Sequence, residues 1–273
     1  LVAESSGKEG VGIVPVADEP IVKAEAYSSD RVFVYLRNTG DLDGFLENIK
    51  NNEHPCIVLE VSGMYSLAAQ FYLWEFAVAV ACSIIGVNAF DQPDVQDSKN
   101  RTKKMIAAFL EEGRLEEPGV LWKRDGIKIF GTDYPGLSES QSLQNVIDGF
   151  VALAKDGDYI GINAYLPRNE KAQSALQELR QDVLEKTGKA TTLGFGPRFQ
   201  HSTGQLHKGG ANNGLFLQIT QENVEDIDIP NEAYSFGILA RAQALGDFEA
   251  LRARDRRVIR IHLPADHALN FDL

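Results

Sequence analysis

Residues 4–10, here called the glutamate segment, combine a carboxylate with small, flexible neighbours in the order Glu-Ser-Ser-Gly-Lys-Glu-Gly. A carboxylate that a ligand can approach closely is suited to general base catalysis, in which it takes up a proton and returns it. Glu4 is therefore a candidate catalytic base. The alternative from the sequence alone is a solvated N-terminal arm without a chemical role.

Residues 88–99, the lysine segment, follow a long apolar run and lead into a predicted helix. Pro93 suits the first turn of that helix, because its missing N–H needs no partner there. Gln92 then lies beside a helix N-terminus, where an anionic ligand is favoured, and Lys99 follows about two turns later. The plainer alternative is a capped helix with a solvated lysine.

Residues 197–210, the histidine segment, concentrate ionisable side chains, among them Arg198, His201 and His207. Histidine transfers protons near neutral pH, and the cations could hold a phosphorylated or carboxylated substrate. Two histidines without further carboxylate or Cys ligands are a weak metal signal, and no glycine-rich nucleotide motif occurs. We therefore expect neither a metal nor a cofactor. A flexible polar connection is the alternative.

The elements that must position these segments alternate between strand and helix patterns. From residue 31 to residue 112 the order is β-α-β-α, which predicts a parallel sheet flanked by helices. From residue 159 to residue 263 the order is β-α-β-β-α-β, with a long loop at residues 196–213, and this order is that of a ferredoxin-like unit. We expect an α/β fold with one domain at residues 1–136 and a C-terminal extension at residues 137–273.

The charge balance excludes some classes of function. Across 273 residues, 27 basic and 39 acidic side chains give a net charge of −12. Such a chain repels phosphate backbones and anionic lipid, so nucleic-acid binding and membrane binding are not expected. The apolar run at residues 76–87 is shorter than the ~20 residues of a membrane span. Two cysteines without metal-type spacing fit a reduced, cytoplasmic protein.

The lysine segment resembles the lysine signature of glucose-6-phosphate isomerases, from Phe90-Asp91-Gln92 to Lys99, with Asp94 in place of Gly and Gln96 in place of Glu. The start of the glutamate segment, residues 4–8, is similar to the family's Glu-Ser-Asn-Gly-Lys. Three stretches, residues 1–15, 195–210 and 234–247, resemble the C-terminal part of bifunctional transaldolase/glucose-6-phosphate isomerase fusion proteins. The resemblance implies that residues 1–136 are a second sugar-isomerase (SIS) subdomain.

The resemblance also implies roles for the candidate residues. Glu4 would move a proton between the two carbons next to the sugar carbonyl, and Lys99 would offset the negative charge that develops there. His201 would open the sugar ring, although in typical members this histidine precedes the lysine motif. Gln92 would hold the substrate, and Arg198 and His207 are further candidates for binding it.

The expected protein is thus the C-terminal segment of an enzyme that interconverts glucose 6-phosphate and fructose 6-phosphate. We expect little activity from the segment alone, because the family's main phosphate-binding loop belongs to the first SIS subdomain. Its expected partners are the sugar phosphate and the rest of the parent enzyme, including a transaldolase domain in the fusion branch. The sequence also leaves open that the protein is a homodimer. The replacements at Asp94 and Gln96 motivate the alternative of a non-catalytic sugar-phosphate-binding or regulatory module.

Overall fold

The N-terminal part of the chain carries the predicted β-α-β-α order. A computed structural model describes residues 1–223, 225–269 and 271. Its first elements are α1 (Val2–Ser6), β1 (Phe33–Arg37), α2 (Asp43–Asn51), β2 (Cys56–Glu60), α3 (Met64–Ile85) and α4 (Val95–Glu112). Strands β1 and β2 pair in parallel, with Phe33 opposite Cys56. The parallel pairing confirms the α/β expectation for this part.

Helix α3 is apolar on all sides, yet most of it faces solvent. Its packed side consists of Val78 and Cys82, which contact Val87 and the α1 residue Val2. By length and composition, α3 is the one helix in the described residues that could cross a membrane, and 11% of its most apolar stretch is buried. The apolar run at residues 76–87 is shorter than α3 because it follows Glu75, the single charged residue of this 22-residue helix.

A six-stranded sheet forms the C-terminal part. Its elements are β3 (Trp122–Arg124), β4 (Ile127–Gly131), α5 (Leu143–Val151), β5 (Tyr159–Tyr165), α6 (Glu170–Thr187), β6 (Ala190–Phe195), α7 (Gly204–Gly209), β7 (Gly214–Gln221), α8 (Phe236–Arg252) and β8 (Arg257–Leu263). The strand order is β3-β4-β8-β7-β5-β6. The hairpin β3–β4 is antiparallel and joins β8 in antiparallel fashion, whereas β6, β5, β7 and β8 are all parallel.

The ferredoxin-like arrangement expected for this part is not what the structure shows. The loop at residues 196–213 contains α7 and returns the chain to the opposite end of the sheet. Strand β7 therefore enters parallel to β5, because parallel strands need a crossover connection of this kind. The hairpin β3–β4 belongs to the same sheet, so the sheet begins before the boundary predicted after residue 136. That boundary stays a prediction, and the extension it defines includes residues 224, 270, 272 and 273, which lie outside the described residues.

The two faces of the parallel strands differ in chemistry. One face is apolar and packs on α5 and α6, with Ile162, Leu217 and Ile259 fully buried in the main core. The opposite face, towards α8, carries a polar row in which Asn163, Gln218 and Arg260 lie side by side by strand register. All three side chains are buried. A polar row inside a sheet is costly unless it is hydrogen-bonded, so this face is a place to look for function.

Candidate functional site

The three segments singled out in the sequence meet at the side chain of Gln205, on α7. Its Nε2 donates to the Gly7 carbonyl oxygen at 2.9 Å and to Asp94 Oδ2 at 2.7 Å. Its Oε1 accepts a hydrogen bond from the Asp94 backbone N–H at 2.9 Å. Gln205 is fully buried, so these bonds are shielded from water. One carboxamide thus joins the glutamate, lysine and histidine segments.

A second link runs from Lys8 to the start of the lysine segment. Lys8 Nζ donates to the Asn88 carbonyl oxygen at 2.6 Å, to Asp91 Oδ1 at 2.7 Å and to the Asp91 carbonyl oxygen. The ammonium is almost wholly buried, whereas Asp91 is exposed. The hydrogen bond from Lys8 holds the pKa of the Asp91 carboxyl below its usual value. Three acceptors around one buried ammonium fix the position of the loop that precedes α4.

Glycines allow the segments to approach this closely. A Cβ atom at Gly7 would clash with the backbone of Leu206, and one at Gly209 would lie 2.7 Å from Gln205 Nε2 and 2.8 Å from the Gly7 carbonyl oxygen. The Gly10 N–H donates to the Gly209 carbonyl oxygen at 2.9 Å, which adds a backbone bond between the same segments. Side chains at these positions would therefore separate the glutamate segment from α7.

Ion pairs with Arg254, which follows α8, hold helix α4, the helix that carries Lys99. Arg254 contacts Asp94 at 2.8 Å and Asp97 at 2.6 Å, and Arg101 contacts Asp97 at 3.1 Å. Burial raises the pKa of Asp97, but hydrogen bonds from Arg254 and Arg101 outweigh this effect and hold the pKa below its usual value. The carboxylate is therefore charged at neutral pH, and its ion pair with Arg254 holds the first turn of α4 against the segment that follows α8.

The predicted site residues belong to the segments that meet at this junction. Glu4 is half-buried on α1, while Gln92, Lys99, Arg198 and His201 are exposed. The structure brings their segments together, but the hydrogen bonds that join the segments come from Gln205 and Lys8. The roles assigned to these five side chains stay predictions.

His207, predicted as a substrate-binding residue, lies in the interior. It is 3% exposed, and its ring lies 4.8 Å from that of Phe216 and 5.9 Å from that of Phe199, centroid to centroid. Neither ring nitrogen has a hydrogen-bond partner in the described residues. Burial, reinforced by the charges of Lys208 and Arg256, lowers the pKa of His207 to about 3. The ring is therefore neutral and packs as an aromatic side chain, out of reach of a ligand in solution.

Sequence reasoning missed the residues that assemble the junction. Gln205 lies in the histidine segment and Lys8 in the glutamate segment. The spacing of residues in the sequence does not distinguish a buried amide or ammonium from a solvated one. A further buried pair, Lys208 and Asp247 at 2.9 Å, ties α7 to α8.

Among the residues described, no cluster of three or more His, Cys, Asp or Glu side chains could hold a metal ion.

Comparisons with known proteins support a distant relationship to one enzyme. No family model matches the chain. Over 160 residues it is 30% identical to the glucose-6-phosphate isomerases of two strains of Leptospira biflexa serovar Patoc, Ames and Paris. The match covers 43% of this chain and 35% of each relative, so the chain spans about a third of the relatives' length. The similarity therefore concerns part of this chain and part of these enzymes.

A structural comparison adds one neighbour. The crystal structure of a hypothetical protein from Thermus thermophilus aligns with a TM-score of 0.41 and 17% identity, over 87% of this chain and 52% of that one. A TM-score below 0.5 does not establish a shared fold, so the α/β architecture rests on the strands and helices described above.

Proposed function

We propose that this chain is the C-terminal segment of a glucose-6-phosphate isomerase, the enzyme that interconverts glucose 6-phosphate and fructose 6-phosphate. One observation carries the proposal. The segments that resemble the base and lysine motifs of this family lie more than 80 residues apart in sequence, yet both bond to Gln205 of the histidine segment. The partial match to the Leptospira enzymes supports the same interpretation.

The proposed chemistry needs a carboxylate that both accepts and returns a proton. Glu4 takes the proton from C2 of the open-chain aldose, which leaves a cis-enediol, and gives it to C1 to form the ketose. Lys99 offsets the negative charge that develops on the sugar oxygen during these transfers. His201 transfers the proton that opens the ring, and Gln92 and Arg198 hold the substrate.

The partner we propose is the remainder of the parent isomerase, seated on α3. Three aromatic side chains of α3, Phe71, Tyr72 and Phe76, are 67%, 72% and 61% exposed. The neighbouring pair β1–β2 is parallel and partly exposed on both faces, whereas parallel sheets are normally covered on both. In the Leptospira relatives, the polypeptide outside the matched part is about twice as long as the matched part itself. It is therefore long enough to cover α3 and the β1–β2 pair. A cluster of exposed aromatic side chains is typical of a protein interface.

The test is a pair of variants in the full-length enzyme that carries this chain. Glu4→Gln removes the base, so kcat should fall by roughly 100-fold or more while the melting temperature stays close to wild type. Glu9→Gln changes an exposed carboxylate five residues further on and should leave kcat unchanged. Wild-type turnover in Glu4→Gln would contradict the assignment.

A binding measurement separates the catalytic proposal from the regulatory alternative. Calorimetry with fructose 6-phosphate, run beside the coupled isomerase assay on the same wild-type protein, gives both answers. Turnover that depends on Glu4 supports the enzyme. Tight binding of fructose 6-phosphate without any turnover would instead support a non-catalytic sugar-phosphate-binding module.

A further inference from the structure

A cavity of about 450 Å³ lies on the polar face of the six-stranded sheet, beneath the first half of α8. Its lining includes Tyr165, Thr220, Arg241, Arg260 and His262. None of the residues proposed for the isomerase site lines it, so it is a separate feature of the fold. Its volume is in the range of pockets that hold small metabolites.

The position of the cavity follows from the strand order. In the order β6-β5-β7-β8 the chain leaves β5 towards β6 on one side and leaves β7 towards β8 on the other side. Connections that diverge in this way open a crevice at the carboxyl ends of the two strands, where α/β proteins bind ligands. Tyr165 and Thr220 are paired in register at the ends of β5 and β7, and both line the cavity.

Arg260 is a buried cation with too few acceptors. Its side chain is 1% exposed, and its guanidinium lies 4.1 Å from the centroid of the Phe130 ring. In the described residues its guanidinium makes one hydrogen bond, a long one from Nη1 to Glu117 Oε1 at 3.4 Å. Nε and Nη2 have no partner there. A buried guanidinium with unpaired N–H groups is stabilised when a further hydrogen-bond acceptor binds to it.

Arg241 and Glu222 stand beside it at the edge of the cavity. Arg241 bonds to Glu117 at 2.7 Å, while its contact with Glu222 is long, at 3.8 Å. Glu222 also contacts His262 Nε2 at 2.7 Å, and its side chain is about half exposed. Burial lowers the pKa of His262, so the imidazole is neutral at pH 7 and the cations here are the two arginines. A half-exposed carboxylate in this place can be displaced by a ligand.

We propose that this cavity binds a small polar metabolite through an anionic oxygen group, a phosphate or a carboxylate, held by Arg241 and Arg260. In the absence of ligand, Glu117 and Glu222 pair with the two arginines, and Asp226, which also lines the cavity, accepts hydrogen bonds from Ser235 and the Gly237 backbone N–H. The ligand's anionic group takes the place of Glu222 on Arg241 and supplies the acceptor that Arg260 lacks. Planar guanidinium groups suit such oxygen groups because they donate two parallel hydrogen bonds.

The experiment is calorimetric titration of the full chain with inorganic phosphate and, separately, with succinate. Binding of phosphate alone identifies a phosphate site, and binding of succinate alone identifies a carboxylate site. Arg241→Gln should weaken the binding of the preferred anion about tenfold, which corresponds to ~1.4 kcal/mol. Arg252→Gln, on the same helix but outside the cavity, is the matched control and should bind like wild type.

Two further variants make the outcome decisive. Glu222→Gln removes the competing carboxylate from an exposed position, so it should tighten binding, a gain that misfolding cannot imitate. Lys99→Gln, in the proposed isomerase site, should leave binding at the cavity unchanged. The proposal is overturned if neither anion binds, or if binding is lost in Lys99→Gln and kept in Arg241→Gln. None of these outcomes depends on whether the chain has isomerase activity.

Discussion

Gln205 and Asp94 hold each other at two points. The Asp94 backbone N–H donates to Gln205 Oε1 at 2.9 Å, and Gln205 Nε2 donates to Asp94 Oδ2 at 2.7 Å. The residues are 111 positions apart in sequence. Because Asp94 precedes α4 and Gln205 lies on α7, this pair sets the distance between the lysine segment and the histidine segment.

Replacing Gln205 should therefore disturb stability and the proposed site together. Gln205→Leu leaves the Asp94 N–H and the Gly7 carbonyl oxygen buried without a partner, so the free energy of unfolding should fall by about 2 kcal/mol or more. Chemical denaturation measures this. Gln96→Leu is the control, because Gln96 is exposed and bonds only to Asn100 in the described residues. Equal stability of the two variants would contradict the role of Gln205.

Gly209 should not tolerate a methyl group. The Cβ of Gly209→Ala would lie 2.8 Å from the Gly7 carbonyl oxygen, so α7 and the glutamate segment must separate. We expect a lower melting temperature and, if the proposed function holds, lower isomerase activity of the full-length enzyme. Gly44→Ala is the control, since the space around Gly44 on α2 is open and alanine favours a helix by up to ~1 kcal/mol. A Gly209→Ala variant that melts like wild type would show that the two segments do not pack as described.

His207 makes stability depend on pH. Its pKa is about 3 in the folded chain, against an ordinary value of ~6.5 when unfolded. A depressed pKa means that the contribution of neutral His207 is complete above pH ~6.5 and is lost as pH falls towards 3. At pH 5 the loss should be about 2 kcal/mol. His207→Phe keeps an aromatic side chain and should remove this loss.

The same variant tests whether His207 binds substrate. Denaturation curves of wild type and His207→Phe at pH 7 and pH 5 give the stability difference, and KM at pH 7 gives the functional one. An unchanged KM agrees with a packing role. A large rise in KM at unchanged stability would restore the substrate-binding role that the sequence predicted.

Asp97 should contribute stability at neutral pH that acid removes. Its folded pKa is lowered, so the contribution is present above the ordinary carboxyl pKa of ~3.9 and is lost as pH falls through the lower folded value. Asp97→Asn should be less stable than wild type at pH 7 and should converge with it in acid. Asp125 has an almost fully exposed side chain, so Asp125→Asn should be about as stable as wild type at neutral pH and in acid. Parallel curves for Asp97→Asn and wild type down to pH 2 would refute the ion-pair argument.

The aromatic surface of α3 should control association. Replacing Phe71, Tyr72 and Phe76 by Ser changes exposed side chains, so the fold of the isolated chain should survive and its aggregation should decrease. In the full-length enzyme the same change should lower the melting temperature, because the interface loses apolar area. Phe236→Ser removes an exposed aromatic residue from α8 as the control. Unchanged melting of the full-length triple variant would show that the parent chain does not cover α3.

Local patterns predicted the elements well and their arrangement less well. The β-α-β-β-α-β order predicted from residue 159 to residue 263 is present, and it begins with β5 and ends with β8. The strand direction expected for β7 was wrong, because the element that reverses the chain, α7, is only six residues long and two of the six are Gly. Such a short helix gains its stability from packing on α1 and α8, which no local pattern encodes.

The α/β class and the three segments that carry chemistry follow from the order of the amino acids alone, because hydrophobic period and residue type are local properties. Which polar side chains are buried became evident only from the folded chain. Gln205, Lys8 and Arg260 are of residue types that are usually solvated. In the fold, Gln205 and Lys8 are buried with a defined set of hydrogen-bond partners, whereas Arg260 is buried with two nitrogens that have no partner in the described residues. Burial also moved His207 from a candidate ligand contact into an aromatic core. Burial depends on contacts between residues far apart in the chain, so these assignments required the fold.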